Sequence, residues 1–326
     1  MVCDGNVDCA VGDDEFYCKE MPRNSSCHGK FVCPEDASCV DYAAVCNGKK
    51  DCIKGGDEIG CNLTCPSSKC TCGGLNVRCK SIGWNETLSI AVPKETTLLY
   101  LVNLTMPSGS NQTNDGRVVS DIVNLYSMNR LKMMVLSMNQ IEHLETANFK
   151  KQHSLKYLDL SGNKITELQN LTFDGLRILR ELYLHGNRIH TIASNAFLGL
   201  TSVQVIFLQG NSIKRIYPGT FQGMSSVKTL GLFQNNISEI TRGAFDGLSS
   251  LQYLDIGDNK IVSIRSKSFA ALNSLQWLHI YLNKLNTLQA ELFHGLTNLT
   301  YLDLTDNYIT HIEPGAFSNL TSLTDL

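Results

Sequence analysis

Asparagine returns every 24 residues through most of this chain. It stands at Asn139, Asn163, Asn187, Asn211, Asn235, Asn259, Asn283 and Asn307. Ten positions after each comes phenylalanine, from Phe149 to Phe317, and five after each comes Leu or Ile, from Leu144 to Ile312. An aliphatic frame precedes each Asn, as in Leu155, Leu158 and Leu160 before Asn163. A unit this short cannot close a core alone, so successive units must stack and share one. The alternating part, such as Leu158-Asp159-Leu160, has period two and predicts a short strand. Strands of successive units lie parallel, one face packing inward and the other lining a concave surface. The Asn column is expected to turn its amide inward and satisfy main-chain groups of neighbouring turns. The Phe column builds an apolar spine under the convex side.

This pattern resembles the leucine-rich repeat. The resemblance implies an α/β fold, a leucine-rich-repeat right-handed solenoid with a parallel concave sheet. Residues 131–326 hold eight regular repeats plus the start of a ninth, whose first leucines are Leu323 and Leu326. Residues 80–130 fit poorly. Leu99, Val102 and Leu104 read as one degenerate strand, and the polar run Pro107 to Gly116 reads as an inserted surface loop.

All 13 cysteines lie between Cys3 and Cys79, so the chain is two unlike regions. Cysteine at this density belongs in an oxidising compartment. Met1-Val2-Cys3 offers no signal peptide. The chain is therefore expected to be an internal piece of a longer extracellular protein. Residues 27–61 form too small a domain to fold on apolar burial alone and need disulfides, a metal, or both. Cys46, Cys52 and Cys61 frame Asp51, Asp57 and Glu58; Cys3, Cys9 and Cys18 frame Asp4, Asp8, Asp14 and Glu15 with the same spacing. Carboxylates clustered in so short a loop repel unless a hard cation neutralises them, which suits Ca²⁺.

This recurrence resembles the LDL-receptor class A module, complete over 27–61 and present as a C-terminal half over 1–18, with 19–26 as linker. The resemblance implies pairings Cys27–Cys39, Cys33–Cys52, Cys46–Cys61 and Cys3–Cys18, and leaves Cys9 unpaired. It also implies calcium ligands: the side chains of Asp51, Asp57, Glu58 and Asn47 with the carbonyls of Ala44 and Lys49. Asn47 stands where the family carries Asp, so one formal charge is lost and weaker binding is expected. In the half-module the set is Asp4, Asp8, Asp14 and Glu15 with the carbonyl of Asn6. The calcium is structural. Residues 65–79 carry Cys65, Cys70, Cys72 and Cys79, without the paired C-x₂-C knuckles of a zinc site. They look like the N-terminal cap of an extracellular leucine-rich array, which implies Cys65–Cys72 and Cys70–Cys79.

Positions between the strand leucines escape the packing rules. Tyr253, Trp277 and Tyr301 align in three adjacent strands, with Tyr183 and Phe207 in the next column. Asp159, Glu181, Asp255 and Asp303 flank them. At about 4.8 Å per strand, the eight regular strands offer a face of roughly 34 Å. Exposed aromatics beside acids suit a partner with basic and apolar contacts. His185 and His279 lie in different strands and do not read as a metal site. Sequons at Asn24, Asn62, Asn85, Asn103, Asn111, Asn170, Asn236, Asn298 and Asn319 fit a glycosylated ectodomain.

The chain has no long basic run, so a nucleic-acid partner is not expected. Nor does it have H-E-x-x-H, G-x-S-x-G or a Walker loop, so it does not read as an enzyme. Class A modules followed directly by a capped repeat array look like the ectodomain of relaxin-receptor-type leucine-rich-repeat G-protein-coupled receptors. The layout is closest to the multi-module invertebrate members. The resemblance implies a peptide or protein hormone on the array, a seven-helix membrane domain downstream and a plasma-membrane location. The alternatives are a secreted or tethered adhesion or matrix protein, and an endocytic class A receptor.

Overall fold

The computed structural model describes residues 31–32, 39–40, 49–55, 69–73, 76–81, 96–104, 125, 128–146 and 148–326. The chain divides into two compact units, Met1–Cys65 with Thr71–Val77, and Pro66–Cys70 with Arg78–Leu326. In the first unit, β1 (Phe31–Val32) pairs antiparallel with β2 (Cys39–Val40). Cys52 is buried there and disulfide-bonded. Next in the chain come β3 (Cys70–Gly73) and β4 (Asn76–Lys80). Cys70 and Cys79 are buried and bonded to each other, and Cys72 is also disulfide-bonded. The other expected pairings each involve at least one cysteine outside the described residues, as does unpaired Cys9.

The second unit is a solenoid. Its strands are β5 (Leu98–Val102), β6 (Met133–Val135), β7 (Tyr157–Asp159), β8 (Glu167–Leu168), β9 (Glu181–Tyr183), β10 (Thr191–Ile192) and β11 (Val205–Phe207). Then follow β12 (Thr229–Gly231), β13 (Glu239–Ile240), β14 (Tyr253–Asp255), β15 (Ser263–Ile264), β16 (Trp277–His279), β17 (Thr287–Leu288), β18 (Tyr301–Asp303) and β19 (His311–Ile312). One parallel sheet runs β5-β6-β7-β9-β11-β12-β14-β16-β18. From β6 onward residues 24 apart face each other, as Leu158 faces Met134 and Leu182. At the first step Leu99 faces Met134, and Asn139 holds Leu104 at a separation of 35 residues. The degenerate strand is thus present, while the expected insertion Pro107 to Gly116 lies outside the described residues. Leu104 itself lies just past the strand, buried.

The frame leucines on the inner side of the sheet are buried, except Leu304 in the last regular repeat, which is half-buried. Behind them the Asn column forms a hydrogen-bonded ladder. Asn211 is representative. Its Nδ2 donates to the carbonyls of Leu184 and Leu208 at 3.0 Å each, and its Oδ1 accepts from the Ile189 amide at 2.9 Å. One side chain so ties these three main-chain groups in two consecutive repeats, groups that the turning backbone leaves without sheet partners, and makes a longer 3.4 Å contact to the Gln209 carbonyl.

The Phe column forms the expected spine. Phe149 to Phe317 stack in sequence with ring centroids 5.8–6.5 Å apart and interplanar angles of 3–17°. The convex arcs hold tight turns and the two-residue strands β8–β10, β13–β15 and β17–β19, paired in parallel. Among the described residues there is no α-helix, and none long and apolar enough to cross a membrane. In three arcs, at Gly175, Gly247 and Gly295, the chain two residues after the Phe passes close over the preceding arc. Gly175 does so at φ 99°, where a Cβ would stand 2.8 Å from the Phe149 and Lys150 carbonyl oxygens.

Candidate functional site

The concave face is built from three residues per strand that alternate with buried leucines. In the eight regular repeats these positions hold four acids (Asp159, Glu181, Asp255 and Asp303) and no Lys or Arg. The register arranges them in two groups, separated by Thr229 and Gly231 on β12.

The first group centres on Tyr183. Its ring lies 5.0 Å from Tyr157 and 5.4 Å edge-on to Phe207, and its hydroxyl donates to Glu181 Oε2 at 2.8 Å. Asp159, opposite Tyr183 in register, accepts from the Ser161 amide and hydroxyl at 2.8 and 2.6 Å. The phenols respond to this setting. Burial first, then the Glu181 and Asp159 charges, push Tyr183 well above the usual range for tyrosine; burial, then Asp159 and Glu181, do the same to Tyr157. The local field is therefore negative.

The second group centres on His279, which the sheet places between Asp255 and Asp303. Its Nδ1 is 3.7 Å from Asp303 Oδ2, and its ring lies 5.2 Å from Tyr253 and 5.1 Å from Tyr301. Tyr281 stands edge-on to it at 6.3 Å. Asp303 also accepts from the Thr305 amide and hydroxyl, and buried Asp255 from the Gly257 amide. Burial first, then Asp255, Asp258 and Asp303, raise Tyr281 far above the ordinary tyrosine value.

The expected contact residues differ in how they meet solvent. Asp159, Glu181, Trp277, Tyr301 and Asp303 are half-buried, with part of each side chain open, as is Tyr157 beside them. Tyr183, Phe207, Tyr253 and Asp255 are 8% exposed or less and form the floor of the face rather than its surface. The reason is mutual cover. Rings in register on adjacent strands touch, and two glycines let others lie flat. The Phe207 ring occupies the space beside Gly231, where a Cβ would sit 3.1 Å from it, and the Tyr281 ring covers Gly257 so closely that a Cβ would run into it. Reading columns by residue type missed this, and it missed His279 and Tyr281 as centres of contact. The signal lay in the register, which sets His279 between two aspartates.

Of the calcium set, Lys49 and Asp51 are described and exposed. Ala44, Asn47, Asp57, Glu58, Asp4, Asn6, Asp8, Asp14 and Glu15 lie outside the described residues. So do the sequons Asn24, Asn62, Asn85 and Asn111. Asn103, Asn170 and Asn298 are exposed, and Asn236 and Asn319 half-buried.

The Leucine rich repeat family matches residues 129–189, 177–237, 225–285 and 275–326. No curated protein matches the chain by sequence. Among solved structures, a chain of the TLR13–ssRNA13 complex superposes with TM-score 0.62 at 24% identity; the match covers 75% of this chain and 37% of that one. A chain of the octameric complex of Latrophilin 3, Unc5D and FLRT2 superposes with TM-score 0.57 at 24% identity, covering 80% of this chain and 92% of that one. At this identity the likeness is one of fold.

Proposed function

The chain belongs to the leucine-rich-repeat family, and from that premise we propose that it is the extracellular ligand-binding region of a cell-surface receptor for a peptide or protein. One observation carries the reading: the concave face holds four carboxylates among aromatic rings and no Lys or Arg in its columns. Such a surface attracts a cationic segment, and the half-buried rings supply apolar contact. The open atoms of Glu181, Trp277 and Tyr301 are the anchors. The residues serve binding rather than catalysis, because the Asp carboxylates are engaged in holding their own strands.

The finer reading is a relaxin-receptor-type G-protein-coupled receptor. Its supports are the class A spacing of the cysteines, the Asp51 carboxylate beside bonded Cys52, and the Cys70–Cys79 bond before the first strand. In this reading calcium holds the class A modules in shape and a seven-helix domain follows the array. Sequence beyond Leu326 decides that part: seven apolar segments support it, and one or none removes it.

The binding face is tested by panning a random peptide library on the chain. Recovered peptides should be rich in Arg and aromatic residues and should lose at least tenfold in affinity to a Glu181→Gln/Trp277→Ala variant with an unchanged melting temperature. Peptides that bind wild type and variant equally would move the site elsewhere.

A further inference from the structure

One lateral edge of the solenoid has the opposite charge from the concave face. It consists of the four residues that lead into each regular strand: 129–132, 153–156, 177–180, 201–204, 225–228 and onward to 297–300. None of these segments contains Asp or Glu. The early ones contain Arg130, Lys132, Lys156, Arg177, Arg180 and Lys228, all exposed. The linear sequence hides this, because these bases are separated by whole repeats. Folding makes them neighbours. The Lys156 amide donates to Lys132 O, Arg180 to Lys156 O, Gln204 to Arg180 O and Lys228 to Gln204 O, each at 2.8 Å. Strand spacing therefore sets Lys132, Lys156 and Arg180 in file at about 4.8 Å intervals along the backbone. Of these six bases, none makes an ion pair among the described residues.

The middle of this edge is a groove of about 420 Å³ lined by Lys156, Ile178, Arg180, Ser202, Gln204 and Ser226. Its lining mixes cationic heads with amide and hydroxyl groups. We propose that this edge is a binding site for a linear sulfated polysaccharide. A file of cations at regular intervals matches a polymer that carries anionic groups at regular intervals, and it releases counterions on binding. Ser202, Ser226 and Gln204 supply the neutral hydrogen bonds that sugar hydroxyls require. The groove lining contains no aromatic residue, so it lacks the stacking platforms with which proteins hold single-stranded nucleic acid. No sequon falls in segments 129–132, 153–156, 177–180, 201–204 or 225–228, so no N-linked glycan is attached within this stretch.

The test uses the full 326-residue chain on immobilised heparin. Wild type should be retained, and log affinity should fall linearly with log salt. A Lys132→Ala/Lys156→Ala/Arg180→Ala variant should elute at clearly lower salt, with the slope reduced by about two. An Arg188→Ala/Lys260→Ala/Lys284→Ala variant removes the same charge from exposed positions just past the Asn column and should elute with wild type. Melting temperatures of both variants should match wild type, since every replaced side chain is exposed. On wild-type protein, heparin should compete and fully desulfated heparin should not. The proposal is overturned if the two variants weaken binding equally, if the first leaves it unchanged, or if desulfated heparin competes as well as heparin. It is also overturned if single-stranded RNA competes as well at equal charge, which would make the edge a nucleic-acid site.

Discussion

Replacing Asn187 and Asn211 by alanine, singly and together, probes what holds consecutive repeats together. Each Asn removed orphans one buried amide, Ile165 N for Asn187 and Ile189 N for Asn211. Leaving a buried donor unmet costs about 1–3 kcal/mol. Each also withdraws a bond from three carbonyls, the third only a 3.4 Å contact, but those carbonyls have a second donor. Leu184 O accepts from both Asn187 at 2.9 Å and Asn211 at 3.0 Å. Losing one of two bonds costs only the net value of a hydrogen bond, about 0.5–1.5 kcal/mol. A single substitution should then destabilise by about 3 kcal/mol. The double substitution strips Leu184 O of both donors and leaves it buried and unmet, so it should exceed the sum of the singles by about 1 kcal/mol. Asn187 and Asn259 share no carbonyl, and that double should be additive. Urea unfolding of the oxidised chain, followed by circular dichroism, measures all of these variants together with Asn259→Ala alone. Asn211→Leu fills the space without the bonds and should be no more stable than Asn211→Ala. Equal coupling in the adjacent and separated pairs would refute the shared-carbonyl argument. So would a Leu variant as stable as wild type.

The buried phenols predict an alkaline limit. Tyr157, Tyr183 and Tyr281 have folded values above the ordinary tyrosine pKa of about 10, so the fold favours their neutral form. That contribution is complete below pH 10 and is lost as pH rises beyond it. Ultraviolet titration should show a late-ionising group of tyrosines, smaller by one in Tyr281→Phe. All tyrosines ionising together near pH 10 while folded would contradict it. The residue before each ladder Asn is left-handed, and Leu282 holds φ 49° there with 48% of its surface exposed. Leu282→Gly should relieve that strain and raise stability by about 0.5–1 kcal/mol in the same urea assay.

The repeats were legible because their physics is local and periodic. The Asn column, the Phe spine and the frame leucines each do one job at one position, and 24-residue spacing exposes them. Even the weak strand at Leu98–Val102 followed from its leucines. The state of the concave residues was less legible, because it depends on neighbours a whole repeat away. Tyr183 is packed by Tyr157 and Phe207, each a whole repeat away, as well as by His185 of its own strand. The basic edge escaped notice for the same reason: Lys132, Lys156 and Arg180 are isolated charges until the fold lines them up. The cysteine-rich front is the reverse case, where spacing speaks clearly and most of its residues lie outside the described set.

The aromatic spine has a mechanical meaning. Rings on the convex side advance by 5.8–6.5 Å per repeat. Strands on the other side advance by only about 4.8 Å, and the two layers lie roughly 10 Å apart. A stack with unequal pitch on its two sides must bend, here by about 7° per repeat. The Phe ring is thus a wedge, and its thickness sets the bending radius. The same geometry continues inward. Side-chain tips some 5 Å inside the sheet are spaced only about 4.2 Å per repeat, closer than the strands that carry them. The crowding of Tyr183, Phe207, Tyr253 and His279 is therefore imposed from the far side of the molecule. A smaller residue in the spine would straighten the arc, and the concave rings would part without any of them being touched.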